Sequence, residues 1–253
     1  MVASSSEPLF VASHLHKRFG HQVVLEEINL AFRQGEVSGI MGPNGAGKTT
    51  CFNVLTGRYK PDRGQVRFDG EDITGLPPRA IARKGISRSF QLINLFNDYT
   101  ALENILVALP EVRERGFNMI QSLSRDSAAM DRAAAILGQV GLAGKELEPA
   151  KMLSYGDRRA LEIAVALAPE PRILFLDEPT SGMGTQATVR LAALLAEVKQ
   201  RYTMVIIEHD MKFLFDLADR ISVIHWGQVI AEGAPEELRA NKWVQASNLG
   251  KLA

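Results

Sequence analysis

The segment Gly42–Thr49 reads Gly-Pro-Asn-Gly-Ala-Gly-Lys-Thr and matches the pattern G-x-x-x-x-G-K-[ST] at every fixed position. A short apolar run, Val37–Met41, precedes it, and a helix is predicted from near Lys48 to near Gly57. A glycine-rich loop between a strand and a helix can curl so that its N–H groups point at phosphate oxygens. The helix start adds partial positive charge. This segment therefore predicts a phosphate-binding loop in an α/β fold.

Within this loop, Lys48 is expected to reach the β and γ phosphates of a nucleotide, and the Thr49 hydroxyl to bind Mg²⁺. The residues predicted to contact the nucleotide are Asn44, Gly45, Ala46, Gly47, Lys48, Thr49 and Thr50. The neighbouring Cys51 is interpreted as a small buried helix residue, because no base lies near it in the sequence.

A second element narrows the class of nucleotide-binding protein. The apolar run Ile173–Leu176 ends in Asp177 and Glu178. We expect Asp177 to hold the Mg²⁺ shell and Glu178 to polarise the attacking water. The alternative is that Asp177 and Glu178 form a solvated acidic pair before a turn. The phosphate loop upstream argues against this alternative.

The bulk composition fits one large domain. The chain has 253 residues, of which 46% are hydrophobic, so it can form a substantial core. Lys+Arg and Asp+Glu both number 29, and this neutral balance gives no reason to expect nucleic acid as a partner. The single cysteine fits a reducing compartment. Met1–Pro8 lacks the layout of a signal peptide, and the apolar runs are too short or too interrupted for a membrane span. If the protein works at a membrane, another chain is expected to provide the spanning part.

The remaining pattern changes from strands to helices and back. Predicted strands are Leu9–Leu15, Val23–Phe32, Gln65–Phe68, Gly85–Phe90, Ile173–Leu176, Met204–Ile207, Ile221–His225 and Val229–Ala231. Helical sequence predominates from Leu92 to about Val165, with helices predicted at Asp131–Val140 and Arg158–Ala168. A further predicted helix, Thr185–Gln200, lies between two buried strands and indicates a βαβ unit.

Further motifs resemble those of the ABC ATPase family. Leu153–Asp157 resembles the signature Leu-Ser-Gly-Gly-Gln, Gln91 the Q-loop glutamine, and His209 the switch histidine. Phe19 lies where the family has an aromatic residue against adenine, and Ser181–Gly184 resembles the D-loop. The motifs follow the family's order from Phe19 to Gly233, and together they are far more specific than any one alone.

The resemblance implies a fold and its division. The expected fold is an α/β P-loop NTPase (RecA-like) core with an N-terminal antiparallel β subdomain and an inserted helical subdomain. Residues 1–91 and 166–235 would form the β subdomain and core, 92–165 the helical subdomain with the signature, and 236–253 a short tail.

The resemblance also implies roles for the remaining site residues. Gln91 would touch Mg²⁺ or the water, His209 the γ-phosphate, and Phe19 the adenine ring. Ser154 and Gly156 would begin the signature helix and face the ATP held by another copy. Each residue also has an ordinary alternative. Gln91 could be a polar residue at a strand end, and His209 a histidine hydrogen-bonded at the end of a strand. Phe19 could be a core aromatic, and Ser154 or Asp157 a simple helix cap.

Three departures from the family pattern concern the contact between two copies. Tyr155 replaces the first signature glycine, Asp157 the usual glutamine, and Gly184 the D-loop aspartate. Tyr155 is expected to point away from the nucleotide, and Gly184 removes one polar contact across a dimer.

The resemblance is most specific to the ATPases of branched-chain amino acid importers. It rests on Ser87–Gln91, Leu153–Ala164 and Ile207–Met211. It implies hydrolysis of ATP with Mg²⁺ on the inner face of the cell membrane. The expected partners are membrane-spanning permease subunits, a second ATPase subunit, identical or similar, and a periplasmic or extracellular substrate-binding protein. The alternatives are a soluble ABC ATPase, for example in cluster assembly, a lipopolysaccharide exporter ATPase, or a nucleotide-binding scaffold without turnover.

Overall fold

The computed structural model describes residues 7–89, 94–114, 127–241 and 244. The described strands are Phe10–Phe19 (β1), Gln22–Phe32 (β2), Val37–Met41 (β3), Arg63–Phe68 (β4), Glu71–Asp72 (β5), Ile86–Arg88 (β6), Ile173–Asp177 (β7), Thr203–Ile207 (β8), Arg220–His225 (β9) and Gln228–Gly233 (β10). The described α-helices are Lys48–Leu55 (α1), Pro78–Arg83 (α2), Ala101–Leu106 (α3), Pro110–Glu114 (α4), Ser127–Gln139 (α5), Tyr155–Leu167 (α6), Thr185–Val198 (α7), Met211–Leu217 (α8) and Pro235–Ala240 (α9). A 3₁₀ turn covers Ala150–Met152.

The central sheet has six strands in the order β10-β9-β3-β8-β7-β6. All neighbours in it are parallel except β10, which pairs antiparallel with β9 at one edge. Every residue of β3, β7 and β8 is buried, as expected for parallel strands covered on both faces. Helix α7 connects β7 to the parallel β8, which confirms the predicted βαβ unit.

A second, antiparallel sheet has the order β2-β1-β4-β5. It packs on the central sheet through an aromatic cluster around Phe175 of β7. The ring centroid of Phe175 lies 5.3 Å from that of Phe10, 6.1 Å from Phe32 and 5.9 Å from Phe52. The antiparallel sheet, helix α1 and β7 therefore share one core.

Helices α3, α5 and α6 pack together, and their core is continuous with the other face of the central sheet. A reciprocal cap between Thr100 and Glu103 begins α3. Together with the two sheets, this arrangement confirms the predicted fold class. The exact boundaries of the subdomains stay a prediction.

Two predicted helix starts were wrong. The described part of helix α5 begins at Ser127, four residues before the predicted Asp131. Helix α6 begins at Tyr155, three residues before the predicted Arg158, because Ser154 is its N-cap and accepts a hydrogen bond from the Asp157 N–H at 3.2 Å. Gly156 therefore lies within the first helical turn. The C-terminal end of α1 was correct, since Gly57 follows the helix with φ +74°.

Within the described ranges, no helix combines the length and apolar character needed to cross a bilayer.

Candidate nucleotide site

The carboxyl ends of three neighbouring parallel strands carry several of the predicted site residues. Strand β3 leads into the phosphate loop, β8 into His209 and β7 into Glu178. The Glu208 N–H donates to Ile40 O at 3.2 Å, and the Glu178 N–H donates to Ile207 O at 2.9 Å. These bonds extend the sheet register into the loops. Ligands of open α/β sheets bind at this edge.

The phosphate loop is shaped by close backbone contacts. Gly42 and Gly47 have φ angles of +159° and +99°. A Cβ atom at Gly42 would lie 2.1 Å from Ile224 O, and one at Gly47 would lie 2.8 Å from Val24 O. Strands β9 and β2 therefore leave room only for glycine at these two positions.

Lys48 is 6% exposed and lies in this loop. Its Nζ donates to Gly42 O at 2.7 Å and to Pro43 O at 3.0 Å. Burial lowers the pKa of Lys48, and three nearby carboxylates oppose that shift. These are Glu178, Asp177 and Glu208. The Lys48 ammonium thus interacts electrostatically with all three carboxylates of the site.

The start of α1 fits an anionic ligand. Its N-cap is Gly47, which provides no side-chain cap. The first amides of a helix have no acceptor within the helix, so the N–H groups of Lys48 and Thr49 face the loop. A Cβ atom at Gly45 would meet no atom within 4 Å, so the loop is open there. Phosphate oxygens can satisfy these donors.

The two carboxylates after β7 differ in environment. Asp177 is 4% exposed, and burial together with the Glu178 charge raises the pKa of Asp177 to about 6. Glu178 is only partly buried and has φ +44°, a left-handed conformation that is unusual for a non-glycine residue. A loop that holds a carboxylate in such a conformation is a common feature of functional sites.

Glu208 is fully buried beside His209. One of its oxygens accepts from the Thr180 N–H at 2.9 Å and from the Thr180 hydroxyl. The other accepts from the N–H groups of His209 at 2.8 Å and Asp210 at 3.2 Å. Glu208 therefore joins the loop after β7 to the loop after β8 and leaves the half-exposed imidazole of His209 at the surface.

The signature segment lies at the N-terminus of α6. The Ser154 hydroxyl donates to Asp157 at 2.6 Å, and Lys145 donates to the same carboxylate at 2.7 Å. Burial of Asp157 opposes ionisation, but these two bonds outweigh it and lower the pKa of Asp157. Ser154, Gly156 and Asp157 line a cavity of about 420 Å³ that extends to α7.

Two of the departures from the family pattern now have structural consequences. The Tyr155 hydroxyl donates to Ser181 O at 2.9 Å, so this side chain contacts the D-loop of its own chain. Gly184 is the N-cap of α7 and offers no side-chain cap.

Two predicted residues are less well defined by the structure. Phe19 ends β1 with 45% of its surface exposed, and its ring packs edge-on against Tyr59 with centroids 5.4 Å apart. Gln91 lies outside the described residues. Its predicted contact with Mg²⁺ or water is therefore untested.

The sequence reasoning missed two buried charges beside the site. Glu208 is one, and Arg159 of α6, 1% exposed, is the other. The signal for Arg159 was available, because Arg159 and Glu162 are three residues apart within an otherwise apolar helical stretch. Nothing in the sequence around Glu208 predicted its bond to Thr180, since the two belong to different loops.

Comparison with known proteins places this geometry in a family. Residues 25–181 match the family model described as ABC transporter. The chain is 42% identical over 97% of its length, and 99% of the other chain, to the high-affinity branched-chain amino acid transport ATP-binding protein BraF of Pseudomonas aeruginosa. It is 40% identical, with the same coverage, to the corresponding protein LivG of Escherichia coli.

This chain belongs to the ABC transporter family. It is an ATP-binding subunit of that family, and its enzymatic activity is ATP hydrolysis. Solved ABC cassettes share its fold. A cassette in its ADP conformation superposes with a TM-score of 0.85 at 29% identity, covering 97% of this chain and 100% of the other. A dimeric cassette in a post-hydrolysis state with ADP and Pi gives a TM-score of 0.74 at 28% identity, covering 89% and 98%.

Proposed function

We propose that the chain hydrolyses ATP to power the uptake of branched-chain amino acids, or of related small carboxylates and amides, through a separate membrane permease. The observation that carries this proposal is identity of 40–42% along nearly the whole of both chains with proteins named for branched-chain amino acid transport. Likeness of this extent includes the helical subdomain as well as the shared ATPase core.

The phosphate loop is proposed to hold the ATP phosphates through the backbone of residues 44–50 and through Lys48. The open helix start and the buried ammonium of Lys48 support this assignment. Phe19 is proposed to stack on the adenine ring, because nearly half of the surface of this residue is exposed.

Thr49 and Asp177 are proposed to hold Mg²⁺ together with Gln91. The raised pKa of the buried Asp177 carboxylate supports this assignment, because a neighbouring positive charge would stabilise its ionised form. In the part of the chain that the structure describes, no three His, Cys, Asp or Glu side chains form a metal cage. A site completed by phosphate and water oxygens is the usual arrangement for Mg²⁺. Mg²⁺ in such a site neutralises charge on the β and γ phosphates.

Glu178 is proposed to accept the proton of the attacking water, and His209 to hydrogen-bond the γ-phosphate. Their loops are joined through Glu208, which fixes the spacing between them. Ser154 and Gly156 of a second subunit, identical or similar, would complete the site from the other side of the nucleotide. Hydrolysis would then require the closed pair of subunits.

An exposed apolar surface on the helical subdomain is proposed to contact the permease. Phe96, Leu147 and Met152 are 58%, 78% and 70% exposed. Their segments lie side by side, because the Lys151 N–H donates to Asn97 O at 3.0 Å and the Ala101 N–H donates to Glu148 O at 2.9 Å. Apolar side chains this exposed favour a partner. The chain would then lie on the cytoplasmic face of the membrane, with a substrate-binding protein on the opposite side.

The test is uptake of labelled leucine, and of a panel of small carboxylates, in cells that carry Lys48→Ala in place of the native residue. Uptake of one or more should fall to background, while Lys199→Ala should leave it unchanged. Lys199 is a suitable control because it also donates to a backbone carbonyl, Leu217 O, far from the phosphate loop. Unchanged uptake of every compound, with loss of an export or assembly process, would refute the importer assignment and leave ATP hydrolysis intact.

The partner surface can be tested separately. Met152→Glu should reduce co-purification with the permease without changing ATP hydrolysis by the purified chain. Val189→Glu, at an apolar residue of similar exposure on α7, is the matched control. Equal co-purification of both variants would place the permease elsewhere.

A further inference from the structure

Arg159 is one of the largest fully buried side chains described, and it contacts the loop that carries the candidate base, Glu178. Its guanidinium donates to three successive backbone carbonyls in the loop that leaves β7. Nη2 lies 2.8 Å from Glu178 O and 3.3 Å from Asp177 O, and Nε lies 3.0 Å from Pro179 O. One side chain of α6 therefore binds the backbone on both sides of Glu178.

Glu162 balances the charge of Arg159. It lies one turn further along α6, is 5% exposed at the side chain, and accepts from Nη1 at 2.5 Å. A buried ion pair of this kind rarely stabilises a fold more than apolar side chains of the same size. The loop that Arg159 binds is therefore the place where this ion pair can act.

That loop needs external support. Glu178 has φ +44°, and a non-glycine residue keeps this strained conformation only where surrounding bonds enforce it. Its N–H is bound to Ile207 O, and its carbonyl is bound by Arg159. Glu208 holds the next part of the loop through Thr180. The backbone of Glu178 is thus fixed from β8 on one side and from α6 on the other.

We propose that Arg159 is a positioning residue that sets the direction of the Glu178 carboxylate and links it to the signature helix of the same chain. Helix α6 is capped by Ser154, five residues before Arg159. A shift of this helix end changes the positions of the three bound carbonyls. Engagement of Ser154 by a nucleotide on a second subunit would therefore orient the base in the chain's own site. The inference rests on the proposed role of Glu178 as base.

The experiment measures ATP hydrolysis and thermal unfolding of purified variants. Arg159→Met should lower kcat by about 10- to 100-fold, because a displacement of about 1 Å in a reacting group has an effect of this order. KM and the ATP-induced rise in Tm should stay at wild-type values, since Arg159 does not touch the phosphate loop.

A second variant separates positioning from stability. Arg159→Met leaves Glu162 buried without its cation, which lowers Tm. Arg159→Met/Glu162→Leu removes both charges and should recover Tm but not kcat. If this variant recovers kcat along with Tm, the role of Arg159 is structural and the inference is wrong.

Arg132→Met is the matched control. Arg132 also bonds a glutamate, Glu111, and a backbone carbonyl, Ala168 O, but it does so at the opposite end of α6. The Arg132→Met variant should therefore keep the wild-type kcat. An equal loss of kcat in this variant would mean that any disturbance of α6 has the effect and would overturn a specific role for Arg159.

A double-mutant comparison shows whether Arg159 acts through the base. In a Glu178→Gln background, adding Arg159→Met should lower kcat no further, because effects on one unit are not additive. A full additional loss would overturn action through Glu178. Normal turnover in Glu178→Gln alone would instead refute the proposed base, whatever the Arg159 variants show.

Discussion

Replacement of Lys48 by methionine should abolish most nucleotide binding while leaving the fold intact. In the structure, Nζ of Lys48 donates to Gly42 O and Pro43 O within its own loop. Lys48→Met removes these two bonds, but it also removes a buried charge whose pKa is lowered by desolvation. The two effects oppose each other. The free energy of unfolding without ATP should therefore change by no more than about 1 kcal/mol.

With ATP the balance is different. A hydrogen bond to a charged group contributes about 1.5–3 kcal/mol, so loss of the ammonium should raise Kd by roughly 100-fold. ATP at 100 times the wild-type Kd stabilises the native chain by about 2.7 kcal/mol, and the same concentration stabilises the variant by only about 0.4 kcal/mol. For a chain of this size these values correspond to rises in Tm of about 5–11 °C and about 1–2 °C.

The assay is thermal unfolding of the wild-type chain, Lys48→Met and Lys199→Met, each with and without ATP. Lys199→Met should show the wild-type rise, since Lys199 is bound to Leu217 O and Asp219 instead. The reasoning is refuted if Lys48→Met gains as much Tm from ATP as the wild type does. A large fall in its Tm without ATP would show that Lys48 mainly supports the loop.

Four further outcomes are expected. Glu178→Gln should retain ATP binding and lose at least about 100-fold in turnover, because an amide cannot accept the proton; normal turnover would assign the base to another group. Ser154→Arg should abolish hydrolysis and spare ATP binding in equilibrium titration, and continued hydrolysis would count against a site completed by a second subunit. Phe175→Ala should lower the free energy of unfolding by about 3–5 kcal/mol in denaturant titration, and Phe175→Leu by clearly less, because only alanine leaves a large cavity between the two sheets. Burial raises the pKa of Cys51 to about 12, so the thiol should resist maleimide in the native chain at pH 8 and react on unfolding; rapid labelling of the native chain would show that α1 opens.

Much of this protein could be predicted from the sequence because the relevant signals are local. The phosphate loop needs glycines between a strand and a helix. The strand, the loop and the helix lie within about twenty consecutive residues. The buried strands β7 and β8 contain the continuous apolar runs Ile173–Leu176 and Met204–Ile207, so their existence and parallel character followed from composition. Errors were confined to ends such as the start of α6, where a side-chain cap at Ser154 decides the first turn.

The spatial order of the strands was decided by tertiary structure. Strand β8 is inserted between β3 and β7, although it follows both in the sequence. The strand that leads into His209 therefore lies between the strands that lead into the phosphate loop and into Glu178. No local signal reports which strands become neighbours, because that choice depends on how two faces of helices and a second sheet pack together.

The sequence by itself determined which side chains could bind and hydrolyse a nucleotide, since each motif is a short pattern with its own chemistry. Only the tertiary structure decided what holds the candidate base. Arg159 reaches carbonyls that are 18–20 positions away, and Glu208 reaches Thr180 across 28 positions. Backbone carbonyls and amides are present at every residue, so the sequence cannot mark them as partners. The packing of α6 and β8 against one loop is what makes these contacts.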